Sequence, residues 1–157
     1  MNLNISQVAE CLIANQQMLA VAESCTGGWL AKVCTDLPGS SAWFDRGFVT
    51  YSNQAKHEML GVSEETIDRY GAVSQQTVEE MVAGVLNNSR AEWAVSISGV
   101  AGPEGGTTIN PVGSVWFAWM KKGQHAITSK RLFDGSRDQV RQQSVEFALE
   151  ELHKLLK

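Results

Sequence analysis

The stretch at residues 18–28 joins a short apolar run to a polar turn with two glycines: Met18-Leu19-Ala20-Val21-Ala22-Glu23-Ser24-Cys25-Thr26-Gly27-Gly28. A helix-like segment, Trp29–Val33, follows it. We therefore predict a β-strand and then a helix, with Ser24 at the junction. At such a junction a side chain projects from the carboxyl end of the strand, near free N–H groups of the first helical turn. A nucleophile and an anion or oxyanion site fit in the small space at this junction.

Outward from this junction, apolar periodicity and turn residues predict alternating helices and strands. Helices are predicted over 6–16, 27–36, 53–60, a short segment after Ser63, 75–88 and 137–155, with Ser6, Asn53, Ser74 and Ser136 among the expected N-caps. Strands are predicted over 18–22, 46–51, 93–98, 113–120 and 125–133. This order predicts an α/β protein, a three-layer α/β/α fold with a mixed, mostly parallel sheet.

Length and composition limit the class of protein. A chain of 157 residues is long enough to bury one full core, so a single domain over 1–157 is expected. The net charge of -4 argues against a general nucleic-acid-binding protein, so no nucleic-acid partner is expected. No apolar run approaches the roughly 18 residues of a membrane span, so no membrane partner is expected.

The cysteines and histidines show no metal-binding pattern. Cys11, Cys25 and Cys34 form no CxxC pair, and their odd number without a signal peptide predicts reduced thiols in the cytoplasm. The three histidines are scattered at positions 57, 125 and 153. We therefore expect no metal and no cofactor.

The turn after the first predicted strand has more than one interpretation. Ser24 or Thr26 could simply cap the next helix. Gly27 and Gly28 weaken that interpretation, because consecutive glycines cost helix stability and favour close approach of a ligand to the backbone. Cys25 is a rival nucleophile whose pKa a helix N-terminus would lower, although no imidazole partner is close in sequence.

Tyr51 ends the second predicted strand, and Lys56 lies five positions later, across a strand-to-helix turn. A lysine of lowered pKa can activate a serine hydroxyl, and a tyrosine can relay the proton or orient the base. The alternative is a solvated lysine beside a tyrosine at a strand end.

A glycine-rich loop follows the third predicted strand. Residues 99–111 contain four glycines, Gly99, Gly102, Gly105 and Gly106, and two prolines, which excludes regular structure. Its N–H groups could form a nest for phosphate or carboxylate, with Ser98 at the strand end. The loop is neither a Walker A loop nor a GxGxxG followed by a helix, so a plain surface loop remains an alternative.

Arg137 and Arg141 are four apart in the first turns of the last predicted helix and share one face. Cations there oppose the helix dipole, so a stabilising partner is expected. A phosphate ligand is one such partner, because arginine binds phosphate through two donors. Salt bridges with Asp134 or Asp138 are the other.

These signals converge at one place. Ser24, Tyr51 and Ser98 each fall at the carboxyl end of a predicted strand, and ligands in open α/β sheets bind beyond these ends. From the residues alone we predict a serine–lysine hydrolase site beside an anion-binding loop.

Five segments in order resemble the CinA (competence/damage-inducible) C-terminal domain family, over roughly residues 5–156. They are Ala22-Glu23-Ser24-Cys25-Thr26-Gly27-Gly28, Gly47-Phe48-Val49-Thr50-Tyr51-Ser52-Asn53, Gly71-Ala72-Val73-Ser74, Ser98-Gly99-Val100-Ala101-Gly102-Pro103 and Pro111-Val112-Gly113-Ser114-Val115. The chain is similar to the stand-alone members, without the N-terminal domain of longer CinA proteins.

The resemblance implies an amidohydrolase that converts nicotinamide mononucleotide to nicotinic acid mononucleotide and ammonia in pyridine nucleotide recycling, without a metal. It implies Ser24 as nucleophile, Lys56 as its base and Tyr51 as an assisting group. The implied substrate-binding residues are Cys25, Thr26, Gly27, Gly28, Ser98, Gly99, Gly102, Gly105, Gly106 and one of Arg137 or Arg141. The family often has threonine at Ser98 and a small or acidic residue at Glu104.

Two other classes of function compete with an enzyme. A non-catalytic nucleotide-binding or regulatory module would keep the pocket without turnover, which the intact Ser24, Lys56 and Tyr51 set disfavours. A thiol sensor at Cys25 lacks a resolving cysteine.

The chain has five tryptophans, a large number for its size. A homodimer interface is one explanation for them, and packing in the core is the other.

Overall fold

One five-stranded sheet organises the molecule in the computed structural model, which describes residues 4–157. The strands are β1 (Leu19–Glu23), β2 (Phe44–Val49), β3 (Trp93–Gly99), β4 (Ser114–Lys121) and β5 (Ile127–Leu132). The helices are α1 (Ile5–Ala14), α2 (Trp29–Asp36), α3 (Asn53–Leu60), α4 (Glu64–Tyr70), α5 (Gln75–Asn87) and α6 (Arg137–Leu156), with one 3₁₀ turn at Ser40–Ala42.

The strand order is β2-β1-β3-β4-β5. β1 pairs in parallel with both β2 and β3, whereas β4 is antiparallel to β3 and to β5. Within the described sheet, β4 is thus the one strand that runs against the others, and the predicted mixed sheet is confirmed. The carboxyl ends of β1, β2 and β3 therefore meet at one edge.

Successive side chains of each strand point to opposite faces of the sheet, and each face carries its own hydrophobic core. Leu19 and Val21 of β1 pack with α1, α2 and α6 on one face, together with large side chains such as Phe117. The other face of the sheet carries small residues, among them Ala20 and Ala22, and packs against α3, α4 and α5. Helices cover both faces, so the predicted three-layer α/β/α fold is confirmed.

Several predicted helix starts differ from the structure. α1 begins at Ile5 after Asn4, and Ser6 is not its cap. α2 begins at Trp29 and not at Gly27, because Gly27 and Gly28 have positive φ values of 59 and 104° that a right-handed helix does not allow.

Other boundaries also differ. Ser52, not Asn53, caps α3 by accepting a hydrogen bond from the Ala55 N–H at 3.0 Å. The hairpin turns at Lys122-Gly123 as predicted, but β5 starts at Ile127 and not at His125, so the connection is longer. Strand β2 lies over Phe44–Val49, two residues earlier than predicted.

α6 is the longest helix, at 20 residues, and Ser136 caps it as predicted, in a capping box with Gln139. Its buried side chains lie on one face, including Val140, Val145 and Leu149. Among residues 4–157, neither this helix nor another combines the length and the apolar character needed to cross a membrane.

The tryptophans pack largely in the core. Trp43, Trp93 and Trp119 are buried, and Trp29 and Trp116 are half-buried. Core packing therefore accounts for most of them, and the homodimer stays a prediction.

Candidate active site

The shared edge of β1, β2 and β3 brings the predicted catalytic residues together. Ser24 follows β1, Tyr51 follows β2 and Lys56 lies on α3. They line one cavity of about 220 Å³, whose remaining lining residues are Cys25, Asn53, Ala72, Val73, Ser98, Gly99, Ala101 and Arg137. The cavity thus contains all three residues of the predicted catalytic set.

Lys56 is buried, with 1% of its surface exposed, and its Nζ lies 2.9 Å from Ser24 Oγ. No carboxylate pairs with this amine among the residues that the structure describes. Burial without a counter-ion disfavours the ammonium form and lowers the pKa of Lys56 from 10.5 to about 8. A substantial share of the side chain is therefore neutral near physiological pH, as a general base requires.

Two backbone carbonyls orient the Lys56 amine. Its Nζ lies 3.0 Å from Thr50 O and 3.2 Å from Tyr51 O. A neutral amine has two N–H donors and one lone pair. The ammonium form donates to Ser24 Oγ as well as to both carbonyls. When the amine is neutral and both its donors stay on the carbonyls, its lone pair is directed at the hydroxyl of Ser24. The neutral amine can accept the proton of that hydroxyl.

The pKa of the Cys25 thiol is raised, whereas a helix N-terminus was expected to lower it. Its residue is 5% exposed, and burial raises its pKa to about 11, so the expectation of a lowered pKa is wrong. The reason is that desolvation outweighs nearby positive charge when the thiol faces the protein interior. At neutral pH Cys25 is a protonated thiol and a poor nucleophile.

The side chain of Glu23 binds N–H groups at the N-terminus of α2, so these groups are not free to bind an anion. Its buried carboxylate accepts hydrogen bonds from the N–H groups of Leu30 at 2.8 Å and Ala31 at 3.0 Å. The expectation that first-turn N–H groups of α2 are free is therefore wrong for these two donors. No motif in the sequence assigns this role to Glu23, although strand alternation places it on the same face as the core residues Leu19 and Val21.

The nucleophile loop, residues 24–28, keeps donors of its own. Neither Ser24 nor Thr26 caps α2 through its side chain, so the simple capping interpretation is wrong. The Gly27 N–H donates to Ser24 O at 3.1 Å. Among residues 4–157 the Cys25 N–H donates to no other residue, and Cys25 lines the cavity beside Ser24. This N–H directly follows the serine in the chain.

Ser98 and Asn110 hold the part of the cavity wall formed by Ala72 and Val73. Ser98 Oγ donates to Ala72 O at 2.8 Å, and Asn110 Nδ2 donates to Val73 O at 3.0 Å. The Gly71-Ala72-Val73 segment is thus hydrogen-bonded both to β3 and to the glycine-rich loop. Sequence reasoning missed Asn110, because only the folded chain brings it to this segment.

Arg137 and Arg141 have partners that neither sequence alternative named. Arg137 Nη1 donates to Gly102 O at 2.9 Å, and Arg141 Nε donates to Cys25 O at 3.0 Å. Neither forms a salt bridge with Asp134 or Asp138, whose carboxylates make none among the described residues. The two arginines therefore tie α6 to two different loops of the site.

The Tyr51 side chain lies at the mouth of the cavity. It is 62% exposed, and its hydroxyl oxygen lies 3.4 Å from Arg137 Nη2. Its backbone carbonyl, rather than its phenol, contacts Lys56. The assignment of the phenol as an assisting group stays a prediction.

Several predicted binding residues do not line this cavity. Gly27 and Gly28 line a separate open groove of about 480 Å³ with Trp29, Lys32 and Arg141. Thr26, within the nucleophile loop, is fully buried. Gly102, Gly105 and Gly106 lie in the loop between β3 and β4, outside the lining of the smaller cavity. Gly102 reaches the site through its carbonyl bond to Arg137.

Fold and site together define a three-layer α/β protein with a buried lysine against a serine at the carboxyl edge of its sheet. The chain belongs to the CinA C-terminal domain family, whose model matches residues 3–156. The resemblance seen in the sequence is thereby confirmed.

Three relatives place the chain within this family. It is 55% identical to "Nicotinamide-nucleotide amidohydrolase PncC" of Escherichia coli K12 over 146 residues, which cover 93% of this chain and 88% of that protein. It is 48% identical to the protein of the same name from Pseudomonas putida, covering 96% and 93% of the two chains. The crystal structure of competence damage-inducible protein A from Klebsiella pneumoniae superposes with a TM-score of 0.94 at 41% identity, covering 97% of this chain and 94% of that one.

Proposed function

We propose that this protein hydrolyses the carboxamide of nicotinamide mononucleotide to nicotinic acid mononucleotide and ammonia, in the recycling of pyridine nucleotides. The observation that carries the chemistry is the 2.9 Å contact between the buried Lys56 amine and Ser24 Oγ. The substrate follows from the 55% identity to an amidohydrolase of that name in Escherichia coli.

In the first step Ser24 Oγ attacks the carboxamide carbon while its proton passes to the neutral Lys56 amine. The carbonyl oxygen becomes an oxyanion, and the unpaired Cys25 N–H is the donor that we assign to it. Removal of one oxyanion donor typically lowers kcat by about 100- to 1,000-fold. The neighbouring N–H groups of Leu30 and Ala31 are already bound to Glu23 and take no part.

In the second step the tetrahedral intermediate collapses. Lys56 returns its proton to the leaving nitrogen, and ammonia departs, leaving an ester on Ser24. A water molecule, deprotonated by Lys56, then attacks that ester. The ester C–O bond breaks, Lys56 returns the proton to Ser24 Oγ, and the released carboxylic acid loses its own proton to solvent. Both steps use the same amine, first as base and then as acid.

Arg137 is the residue that we assign to the 5′-phosphate. It lines the cavity, and its Nη2 bond to the exposed Tyr51 hydroxyl is long at 3.4 Å. The N–H groups of the glycine-rich loop between β3 and β4 are the second source of donors. A nucleoside without phosphate would leave these donors unpaired and would bind less well.

The experiment is ammonia release from nicotinamide mononucleotide, nicotinamide riboside and nicotinamide, all in the presence of a metal chelator. Turnover restricted to the mononucleotide supports the amidase chemistry, the phosphate contacts and a reaction without metal. Ser24→Ala should abolish turnover in protein with an unchanged circular dichroism spectrum. Folded wild-type protein that turns over none of the three amides would instead favour a non-catalytic binding module.

A further inference from the structure

We infer that Arg141 is a positioning residue, which holds the nucleophile loop in the geometry that stabilises the oxyanion and does not bind the substrate phosphate. This inference rests on the proposed amidase function. It separates the roles of two arginines that lie one helical turn apart on α6.

Arg141 bonds to two consecutive carbonyls of the nucleophile loop. Nε donates to Cys25 O at 3.0 Å, and Nη2 donates to Thr26 O at 3.2 Å. The guanidinium also lies 5.5 Å from the centre of the Trp29 ring, within the range of a cation–π contact. One side chain of α6 thus binds the loop both through hydrogen bonds and through the first residue of α2.

Peptide geometry explains how this contact affects the donors. In a trans peptide the C=O of one residue and the N–H of the next point in opposite directions. Arg141 binds the Cys25 carbonyl, so the Thr26 N–H is directed away from the guanidinium. Ser24 O is taken by the Gly27 N–H, so the Cys25 N–H is directed out of the turn. The orientation of three successive peptides is therefore fixed, although Gly27 and Gly28 make this loop intrinsically flexible.

The position of Arg141 also disfavours a role in phosphate binding. It lines the open groove with Gly27 and Gly28, whereas Arg137 lines the cavity that holds Ser24 and Lys56. Two of its donors are already directed at backbone carbonyls. A guanidinium presents its donors in a rigid planar fork, whereas an ammonium is a compact charge on a flexible stem.

The test compares Arg141→Met and Arg141→Lys with the matched control Arg137→Met. For both Arg141 variants we expect kcat to fall roughly 10- to 100-fold while KM for the mononucleotide changes less than about twofold. Arg137→Met should instead raise KM for the mononucleotide with a smaller change in kcat. A raised KM with unchanged kcat in Arg141→Met would overturn the inference.

Binding of nicotinic acid mononucleotide by calorimetry excludes simple misfolding. An unchanged dissociation constant and a stoichiometry of one per chain in the Arg141 variants would show that every molecule is folded and still binds the product. A loss of product affinity in Arg141→Lys, which keeps the charge, would indicate ligand contact and contradict the positioning role.

A readout without turnover separates this inference from the proposed function. Hydrogen exchange at the Gly27 and Trp29 amides, which donate to Ser24 O and Thr26 O of the loop, should accelerate in Arg141→Met and stay unchanged in Arg137→Met. If wild-type protein releases no ammonia, the proposed function fails while this exchange result still decides whether Arg141 holds the loop. Equal exchange in wild type and Arg141→Met would overturn the inference.

Discussion

The amine of Lys56 and the hydroxyl of Ser24 lie 2.9 Å apart, although 32 positions separate them in the chain. The contact joins the first residue after β1 to the middle of α3. Because burial lowers the pKa of Lys56 to about 8, this pair can exchange a proton near neutral pH. That pKa has consequences both for catalysis and for stability.

The rate should follow the titration of Lys56. Only the neutral amine accepts the Ser24 proton, so kcat/KM should rise about tenfold per pH unit below pH 8 and level off above it. Ammonia release measured from about pH 6 to 9.5 tests this. Lys56→Met should be inactive throughout that range. If raising the pH restores its rate, Lys56 serves only as an electrostatic helper.

The same group should make stability depend on pH. The pKa is about 8 in the folded protein and 10.5 for a solvated lysine, so between these values the unfolded chain binds more protons. Stability therefore rises with pH across this window, by up to about 3 kcal/mol relative to Lys56→Met. Urea unfolding of both proteins near pH 7.5 and pH 10 measures the difference. Parallel changes in the two proteins would contradict the lowered pKa.

Cys25 should be dispensable for the chemistry. Burial raises its pKa to about 11, so its thiol stays protonated at neutral pH. We expect Cys25→Ala to retain most activity, within about tenfold of wild type, since its backbone N–H is preserved. The matched variant Ser24→Ala should be inactive. An inactive Cys25→Ala beside an active Ser24→Ala would move the nucleophile to the thiol.

Glu23 should stabilise the start of α2. Glu23→Gln replaces a carboxylate that accepts two N–H bonds by an amide with one acceptor oxygen, leaving one buried donor without a partner. The expected loss is about 1 to 3 kcal/mol in the free energy of unfolding. Glu10→Gln, on the exposed side of α1, is the control and should change stability by less than about 0.5 kcal/mol. Equal stability of the two variants would show that the helix start does not need the carboxylate.

Gly84 should control the placement of Lys56. A Cβ at Gly84 of α5 would overlap the carbonyl of Leu60, the last residue of α3, which carries Lys56. Gly84→Ala should therefore cost about 1 to 3 kcal/mol and lower kcat, because α3 must shift. Ala83→Gly on the same helix should cost about 1 kcal/mol and leave kcat unchanged. Normal kcat in Gly84→Ala would show that the lysine tolerates this shift.

Much of the fold could be predicted from local patterns. The order of strands and helices, the caps Ser74 and Ser136 and the two apolar faces follow from periodicity and turn residues, which act over short stretches of chain. The errors at Gly27 and Asn53 concern single residues at helix ends, where the backbone conformation of a neighbour decides the boundary.

The sequence by itself determined the α/β class, the family and the three residues Ser24, Tyr51 and Lys56 that meet at one edge of the sheet. Only the tertiary structure decided their electrostatics and partners. Burial raises the pKa of Cys25 and lowers that of Lys56, and burial depends on distant segments packing together. Likewise, Arg141 contacts the nucleophile loop from 116 positions away, a relationship that no local pattern contains.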